Sequence, residues 1–399
     1  MSLRARTAVF LLGLCALLNI YSTQPLLPDL ARDLHVPLGR STWTITATTL
    51  GVALVAPFAG SVSDYLGRKR VMVAAIAGAF AATLACAVAW NFAAMLAFRL
   101  VQGLLIPFVF AVAVSYLAEE YTGPAAQRAN ALYVSGTAFG GFCGRFLSGA
   151  ATERFGWRAS FVVLALVLLV TLAATAAWLP RERAFCRSDS LLASLRGIGG
   201  HFGNARLLGT CLIGASILFL QVGAFTYAGM RLKAPPFGLS TFEIGAVFAV
   251  FLVAVVVTPL TGRLIGRIGR LRTYLLVSLV SLAGLGLTLI PSTPAVIVGL
   301  AASSTGVFSG QACAIGYAAE AGGAARSSAV GLYLTCYYAG GSIGAVAPSP
   351  LYTAAGWSAC AALLAVVVGV SVLVALAAWR PAPVGQPRRH LLEEPLYDR

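Results

Sequence analysis

The sequence predicts an all-α integral membrane protein of twelve spans, built as two pseudo-symmetric six-helix bundles. Three observations predict it. Of 399 residues, 59% are hydrophobic and 10% charged, with a mean hydropathy of +0.86; a soluble chain of this size would be covered in exposed apolar surface, so its solvent is lipid. Apolar stretches of roughly 20 residues, the length that crosses a hydrocarbon core of about 30 Å, recur along the chain. One segment also repeats: Pro57, Gly60, Gly67, Arg68 and Arg70 return 202 positions later as Pro259, Gly262, Gly269, Arg270 and Arg272. Tyr116 and Glu119 return after 201 positions as Tyr317 and Glu320, and Tyr133, Gly140, Gly144 and Trp157 after 200 as Tyr333, Gly340, Gly344 and Trp357. One slowly drifting offset marks a duplicated membrane unit.

Taken in order, the first half gives spans at 7–28, 41–63, 71–90, 93–117, 129–152 and 157–179, and the second at 207–230, 241–262, 273–291, 294–318, 328–349 and 356–379. Residues 273–319 and 327–379 contain no Asp, Glu, Lys or Arg. At about 1.5 Å per residue each would make roughly 70–80 Å of helix, too long for one crossing. Pro291-Ser292-Thr293-Pro294 divides the first stretch, and Pro348-Ser349-Pro350 with Gly356-Trp357 the second. The bundles are accordingly placed at 1–180 and 206–380. A loop at 181–205, with an amphipathic stretch at Leu191–Leu195, is expected to lie along the inner membrane face, and the Pro-rich tail at 381–399 to be disordered.

Charge orients the bundle, because Lys and Arg are retained on the cytoplasmic side of short loops. With both termini inside, twenty basic residues are cytoplasmic and six, Arg32, Arg40, Arg154, Arg158, Arg231 and Lys233, face out. The net charge of +15 thus reads as topology in a bacterial-type plasma membrane, not as a nucleic-acid footprint. Arg4 and Arg6 before an apolar run resemble a signal peptide, but no A-x-A-like site follows, so the first span is expected to stay uncleaved. Eight cysteines without a C-x-x-C, and three dispersed histidines (His35, His201, His390), predict neither a disulfide framework nor a metal site.

Four groups of residues stand out. In the loops after spans two and eight, Gly60 and Gly67, and again Gly262 and Gly269, are expected to allow tight turns with positive φ. Arg68, Arg70 and Arg270 would anchor those turns at the interface, and Asp64 would meet a helix N-terminus or an arginine. Glu119 and Glu320 end spans four and ten at the same depth, which predicts the ion pairs Arg68–Glu119 and Arg270–Glu320; the alternative is two solvated helix ends. In span five, Gly136, Gly140, Gly144 and Ser148 fall every four residues on one stripe, echoed by Gly340 and Gly344 in span eleven. Such spacing lets two backbones approach closely where lipid supplies no hydrophobic drive; pure packing is the plain reading.

Arg99 and Arg145 are the charges well inside spans, each eight residues from an outer boundary, about 12 Å deep. A buried arginine costs roughly 2.5–3.5 kcal/mol near the bilayer centre, so each should face a partner or a cavity. Either they bond backbone carbonyls and Gln102, or they form a positive region that receives an anionic group or tunes a proton site. Asp29 and Glu243 are the carboxylates nearest the pathway. Tyr21, Gln24, Tyr133, Gln221, Tyr227, Gln311, Tyr337 and Tyr338 are candidate cavity contacts, of the amide and aromatic kind that suits amphipathic molecules.

Gly60-Ser61-Val62-Ser63-Asp64-Tyr65-Leu66-Gly67-Arg68-Lys69-Arg70 between spans two and three, and Arg99-Leu100-Val101-Gln102-Gly103 in span four, resemble signatures of the major facilitator superfamily of secondary transporters. Tyr21-Ser22-Thr23-Gln24-Pro25, Gly140-Gly141-Phe142-Cys143-Gly144-Arg145 and Gly156-Trp157-Arg158 resemble its acriflavine-sensitivity (YnfM-type) subgroup. The resemblance implies the superfamily fold, and a loop motif that holds the halves together at the cytoplasmic side when the carrier is open outward. Tyr65 departs from the Arg usual there, and Gly266 stands where the second copy would need Asp64. The span-five stripe is similar to the drug:proton antiporter element, with Gly141 replacing its Pro and Arg145 its final Gly. The expected function is alternating-access transport of a small organic molecule, a drug or a metabolite, by a monomer without cofactors, as proton-coupled efflux. Uptake of a small anionic metabolite is the alternative, then a non-transporting receptor on the same fold. Clustered acids or histidines for an intramembrane enzyme are absent, so no enzymatic activity is expected.

Overall fold

The computed structural model describes residues 1–180, 182, 200–323 and 326–379, and within them the chain is helical without strands. The expectations for the amphipathic stretch in the connecting loop and for the C-terminal tail fall outside these residues. Among the described residues, eight helical segments are long and apolar enough to cross a membrane alone: spans three, four, six to ten and twelve. The other four are helices that miss that description for readable reasons. Span one stops at Leu18, with a turn before Gln24–Leu26 and Leu27–Asp33. Span two is divided into Trp43–Val55 and Ala59–Leu66. Spans five (Gly123–Phe155) and eleven (Arg326–Val346) are rich in Gly, Ala and Ser, which lowers their hydropathy without shortening them.

Several boundaries differ from the sequence reading. Span eight is composite, with Thr241–Val247, a 3-10 segment Phe248–Leu252 and Val253–Ile268. Between spans eleven and twelve a short helical stretch from Ser349 fills the expected turn, and Gly356, with a non-helical φ of 69° and ψ of −158°, separates it from the helix that starts at Trp357, where span twelve was expected.

Within each half, the small-residue stripes set the packing. A Cβ at Gly136, Gly140 or Gly144 would meet the backbone carbonyls of Phe10, Leu14 and Leu18, so span five lies directly on span one. Likewise Gly340 and Gly344 lie on the backbone of Ala215 and Phe219 in span seven. The halves meet along two seams, span two against span eleven and span five against span eight.

Close approach predicts a sharp contrast between glycines. Gly140→Leu should destabilise the folded protein by about 1–3 kcal/mol or more through overpacking, whereas Gly262→Ala, in a helix with nothing within 4 Å of its added methyl, should be neutral or slightly stabilising. Thermal unfolding in a mild detergent checks this; equal melting temperatures for the two variants would refute the stripe as the packing element.

Candidate functional site

The two copies of the loop motif turn in the same way. Gly67 and Gly269 hold φ of 96° and 84°, conformations that favour glycine. Gly60 and Gly262 instead sit inside helices Ala59–Leu66 and Val253–Ile268, so one glycine per copy makes the turn, not two. Arg68 follows the turn and is buried. Its Nη2 and Nε donate to Glu119 (2.6 and 3.2 Å), and its Nη1 donates to Ser63 Oγ (2.5 Å) and pairs with Asp64. Arg270 forms a two-pronged pair with Glu320, both bonds 2.6 Å, with no acid at the place of Asp64. Arg70 is exposed. Each of these ion-pair networks stays within its own half, so in this conformation neither bridges the bundles.

The bridging bonds lie at the opposite end. Asp29 Oδ2 accepts from Lys233 Nζ (3.0 Å) and Thr241 Oγ1 (3.1 Å). Glu153 Oε2 accepts from the backbone N–H groups of Thr241 (3.0 Å) and Phe242 (3.4 Å), so a carboxylate of the first half caps a helix N-terminus of the second. Gln24 donates to Thr226 (3.1 Å), Thr46 to the Ser342 carbonyl (3.0 Å), and Thr49 shares a 2.7 Å bond with Ser342. Among the described residues, the hydrogen bonds between the halves lie at this end or toward it. The space between the bundles is closed here. Asp29 therefore belongs to the closure. It also pairs with Arg32, whose hydrogen bond to Asp33, with the charges of both acids, holds its pKa above the ordinary value. Glu243 leaves the candidate set as well: it is exposed and forms a capping box with Ser240. The S-x-x-E spacing carried that signal, whereas nothing in the sequence distinguished Glu153, Lys233 or Thr241 as partners across the halves.

Arg99 resolves to the plainer of its two readings. Span one breaks after Leu18, leaving orphan carbonyls in the protein interior. Arg99 Nη1 donates to the Asn19 carbonyl (2.8 Å) and to Gln102 Oε1 (2.7 Å), Nη2 to the Ile20 carbonyl (2.8 Å) and Nε to the Thr44 carbonyl (3.1 Å). Gln102 passes its amide to Thr83 (2.8 Å). All three nitrogens are satisfied and the residue is fully buried. It staples the broken span one to spans two and four and does not face a chamber.

Arg145 differs. It is also buried, yet its protein acceptors are Gln24 Oε1 (2.6 Å from Nε) and the Gly141 carbonyl (from Nη1). Its guanidinium lies 4.7 Å from the ring centres of Tyr21, Phe248 and Phe251, the last two from the second half. Phe251 continues into Phe225 (4.5 Å) and Phe308 (5.7 Å), and Phe110 approaches Tyr338 across the halves (6.1 Å). Tyr337 stacks on Tyr333 (6.0 Å) and meets Tyr338 edge-on (5.4 Å). Tyr133 donates to the Phe110 carbonyl (3.2 Å), and Gln311 is half-buried. The Tyr21 hydroxyl and Gln221 Oε1 are buried without a partner. Tyr227, by contrast, is tied to the Ala345 carbonyl (2.7 Å) and packs span seven on span eleven. The result is a buried cluster of rings, drawn from both halves, around one guanidinium. Among the described residues, no group of three or more His, Cys, Asp or Glu could hold a metal ion.

A family model described as Major Facilitator Superfamily matches residues 9–345 and 211–395. The chain is similar to the inner membrane transport protein YnfM of Escherichia coli, 29% identical over 93% of this chain and 89% of that one. It is also similar to the MFS-type transporter YybF of Bacillus subtilis, 28% identical over 84% of this chain and 83% of that one. The structure resembles that of the human organic anion transporter MFSD10, with a TM-score of 0.70 at 19% identity over 93% of this chain and 98% of that one.

The staple makes a testable demand. Arg99→Met keeps the bulk but leaves the buried Ile20 carbonyl without its donor and takes one donor each from the Asn19 and Thr44 carbonyls and from Gln102, and should cost about 1–3 kcal/mol. A melting temperature within a degree or two of wild type would show that Arg99 does not hold the break in span one.

Proposed function

The chain belongs to the major facilitator superfamily and is a multi-pass membrane transporter, and on that premise we propose that it exports a small organic molecule in exchange for protons. The observation that carries the reading is a cluster of rings drawn from both halves, Tyr21 and Phe110 on one side and Phe248, Phe251 and Tyr338 on the other, around the buried Arg145 guanidinium. Such rings suit an amphipathic organic body without demanding one hydrogen-bond pattern.

We place the motif end in the cytoplasm, since Arg68, Arg70, Arg270 and Arg272 lie there, in a bacterial-type inner membrane of the kind its bacterial relatives occupy. The conformation described is then inward-facing. Rocking of residues 1–180 against 206–380 about the two seams would break the Asp29 and Glu153 bonds, open the outer face and close the motif end. In that second state the Asp64–Arg68–Glu119 network, now internal to its half, becomes the latch between halves.

Asp29 and Glu153 serve the outer closure, so they hold the outer face shut and do not themselves carry a proton across. The proton exchange in this proposal rests instead on the likeness of the span-five stripe to the drug:proton antiporter element.

Two measurements test the reading. Membrane vesicles containing the protein should move at least some members of a panel of dyes, antibiotics and metabolites, and collapsing the proton gradient should abolish net movement; movement of none, or movement indifferent to the gradient, would overturn export by proton exchange. Separately, Asp29→Asn combined with Glu153→Gln should shift the conformational balance toward outward-open by about tenfold, equivalent to ~1.4 kcal/mol. The readout is labelling of a cysteine placed at Ser342, in a chain stripped of its native cysteines, by an impermeant maleimide added from outside. Unchanged labelling would remove the two acids from the closure.

A further inference from the structure

We infer that the transported molecule is an organic anion and that Arg145 receives its charged group. The two buried arginines make the argument by contrast. Every nitrogen of Arg99 donates to a protein oxygen. Arg145 uses Nε on Gln24 and Nη1 on Gly141, and Nη2 has no hydrogen-bond acceptor among the described residues. A guanidinium offers five N–H donors, and those of Nη2 keep accessible surface inside a residue that is otherwise buried, which leaves them open to a ligand.

Among the described residues no carboxylate pairs with Arg145, and the outer acids Asp29 and Glu153 are both engaged in the closure. The positive charge instead lies against the rings of Tyr21, Phe248 and Phe251, which stabilise a cation weakly and leave its edge open to a bidentate acceptor. A second, independent sign lies beside it: the Tyr21 hydroxyl is buried and unpartnered, on a ring 4.7 Å from the guanidinium. A carboxylate, sulfonate or phosphate on Arg145, with the Tyr21 hydroxyl as a further donor and an apolar body against Phe251 and Phe308, satisfies the free guanidinium nitrogen and the Tyr21 hydroxyl together.

The geometry also gives the anion a mechanical role. Gln24, which holds Arg145, is itself bonded across the halves to Thr226, and Phe248 and Phe251 belong to the second half. An anion that draws the guanidinium toward itself competes with those contacts and loosens the closure from within.

The inference rests on the carrier reading above, and its test separates the two. Purified protein in an uncharged detergent is titrated with 2-naphthoate, 2-naphthalenesulfonate and 2-naphthyl phosphate, and with neutral 2-naphthamide and cationic 2-naphthylmethylammonium, following the unfolding temperature. At least one anion should stabilise the wild type at millimolar concentration or below, and the amide and ammonium should not. Arg145→Gln should weaken that anion's apparent affinity at least tenfold, Arg145→Lys less, and Tyr21→Phe severalfold; the last variant reads the same site should Arg145→Gln fail to yield monodisperse protein. Absence of binding by all three anions, equal binding of naphthamide, or anion affinity unchanged in Arg145→Gln and Tyr21→Phe would each overturn the anion site. Those outcomes leave the carrier intact if neutral or cationic compounds still cross vesicles at wild-type rates, whereas failure of every compound to cross removes the carrier reading whatever binds.

Discussion

A backbone carbonyl that leaves a helix inside a membrane must find its partner in the protein, because the hydrocarbon offers none. Span one breaks that rule's easy solution after Leu18, and Arg99 restores it by donating to the Asn19, Ile20 and Thr44 carbonyls. Much else follows from the break. It turns the chain so that Tyr21, Gln24 and Asp29 reach the junction of the halves, where one joins the ring cluster, one holds Arg145 and one closes the outer end. The second repeat shows the same logic in negative. Span seven is one continuous helix, Ala205–Lys233, and the position 201 residues beyond Arg99 is Leu300. Where there is no break, no buried guanidinium is kept.

Close packing carries the rest of each bundle. The glycine stripes put spans five and eleven in backbone contact with spans one and seven, which fixes the inner faces of both halves as rigid units. Rigid halves then concentrate change at the two seams. The hydrogen bonds that would have to be exchanged there come from short hydroxyl side chains, Lys233 and one capped helix end, beside ring contacts such as Phe146 against Phe242 (5.4 Å).

The fold was legible because its signals are compositional and repeated: lipid-length apolar runs, a duplicated loop and a charge bias. The places where helices break were less so. Asn19, the C-cap of the first helix, is of a type that favours helix ends, but it sits inside an apolar run of lipid length, and the buried Arg99 was the other hint that span one leaves carbonyls to satisfy. The Arg68–Glu119 and Arg270–Glu320 pairs could be anticipated because matched positions in two copies constrain each other. The cross-half contacts had no such internal check. Lys233 and Glu153 looked like ordinary loop charges, and Phe248 and Phe251 like ordinary apolar residues, until the 3-10 segment of span eight turned both rings to Arg145.

The outer seal also bears on how far the two repeats have grown apart. Its acids, Asp29 and Glu153, both come from the first half, and its donors, Lys233, Thr241 and the Phe242 amide, from the second. The positions corresponding to those acids, 202 and 200 residues on, are Arg231 and Thr353. A carrier assembled from two copies of the second half would set Lys233 against Arg231 and have no acid to cap the Thr241 helix. The ancestral symmetry survives in the backbone, but the electrostatics has made each half the obligate complement of its sibling.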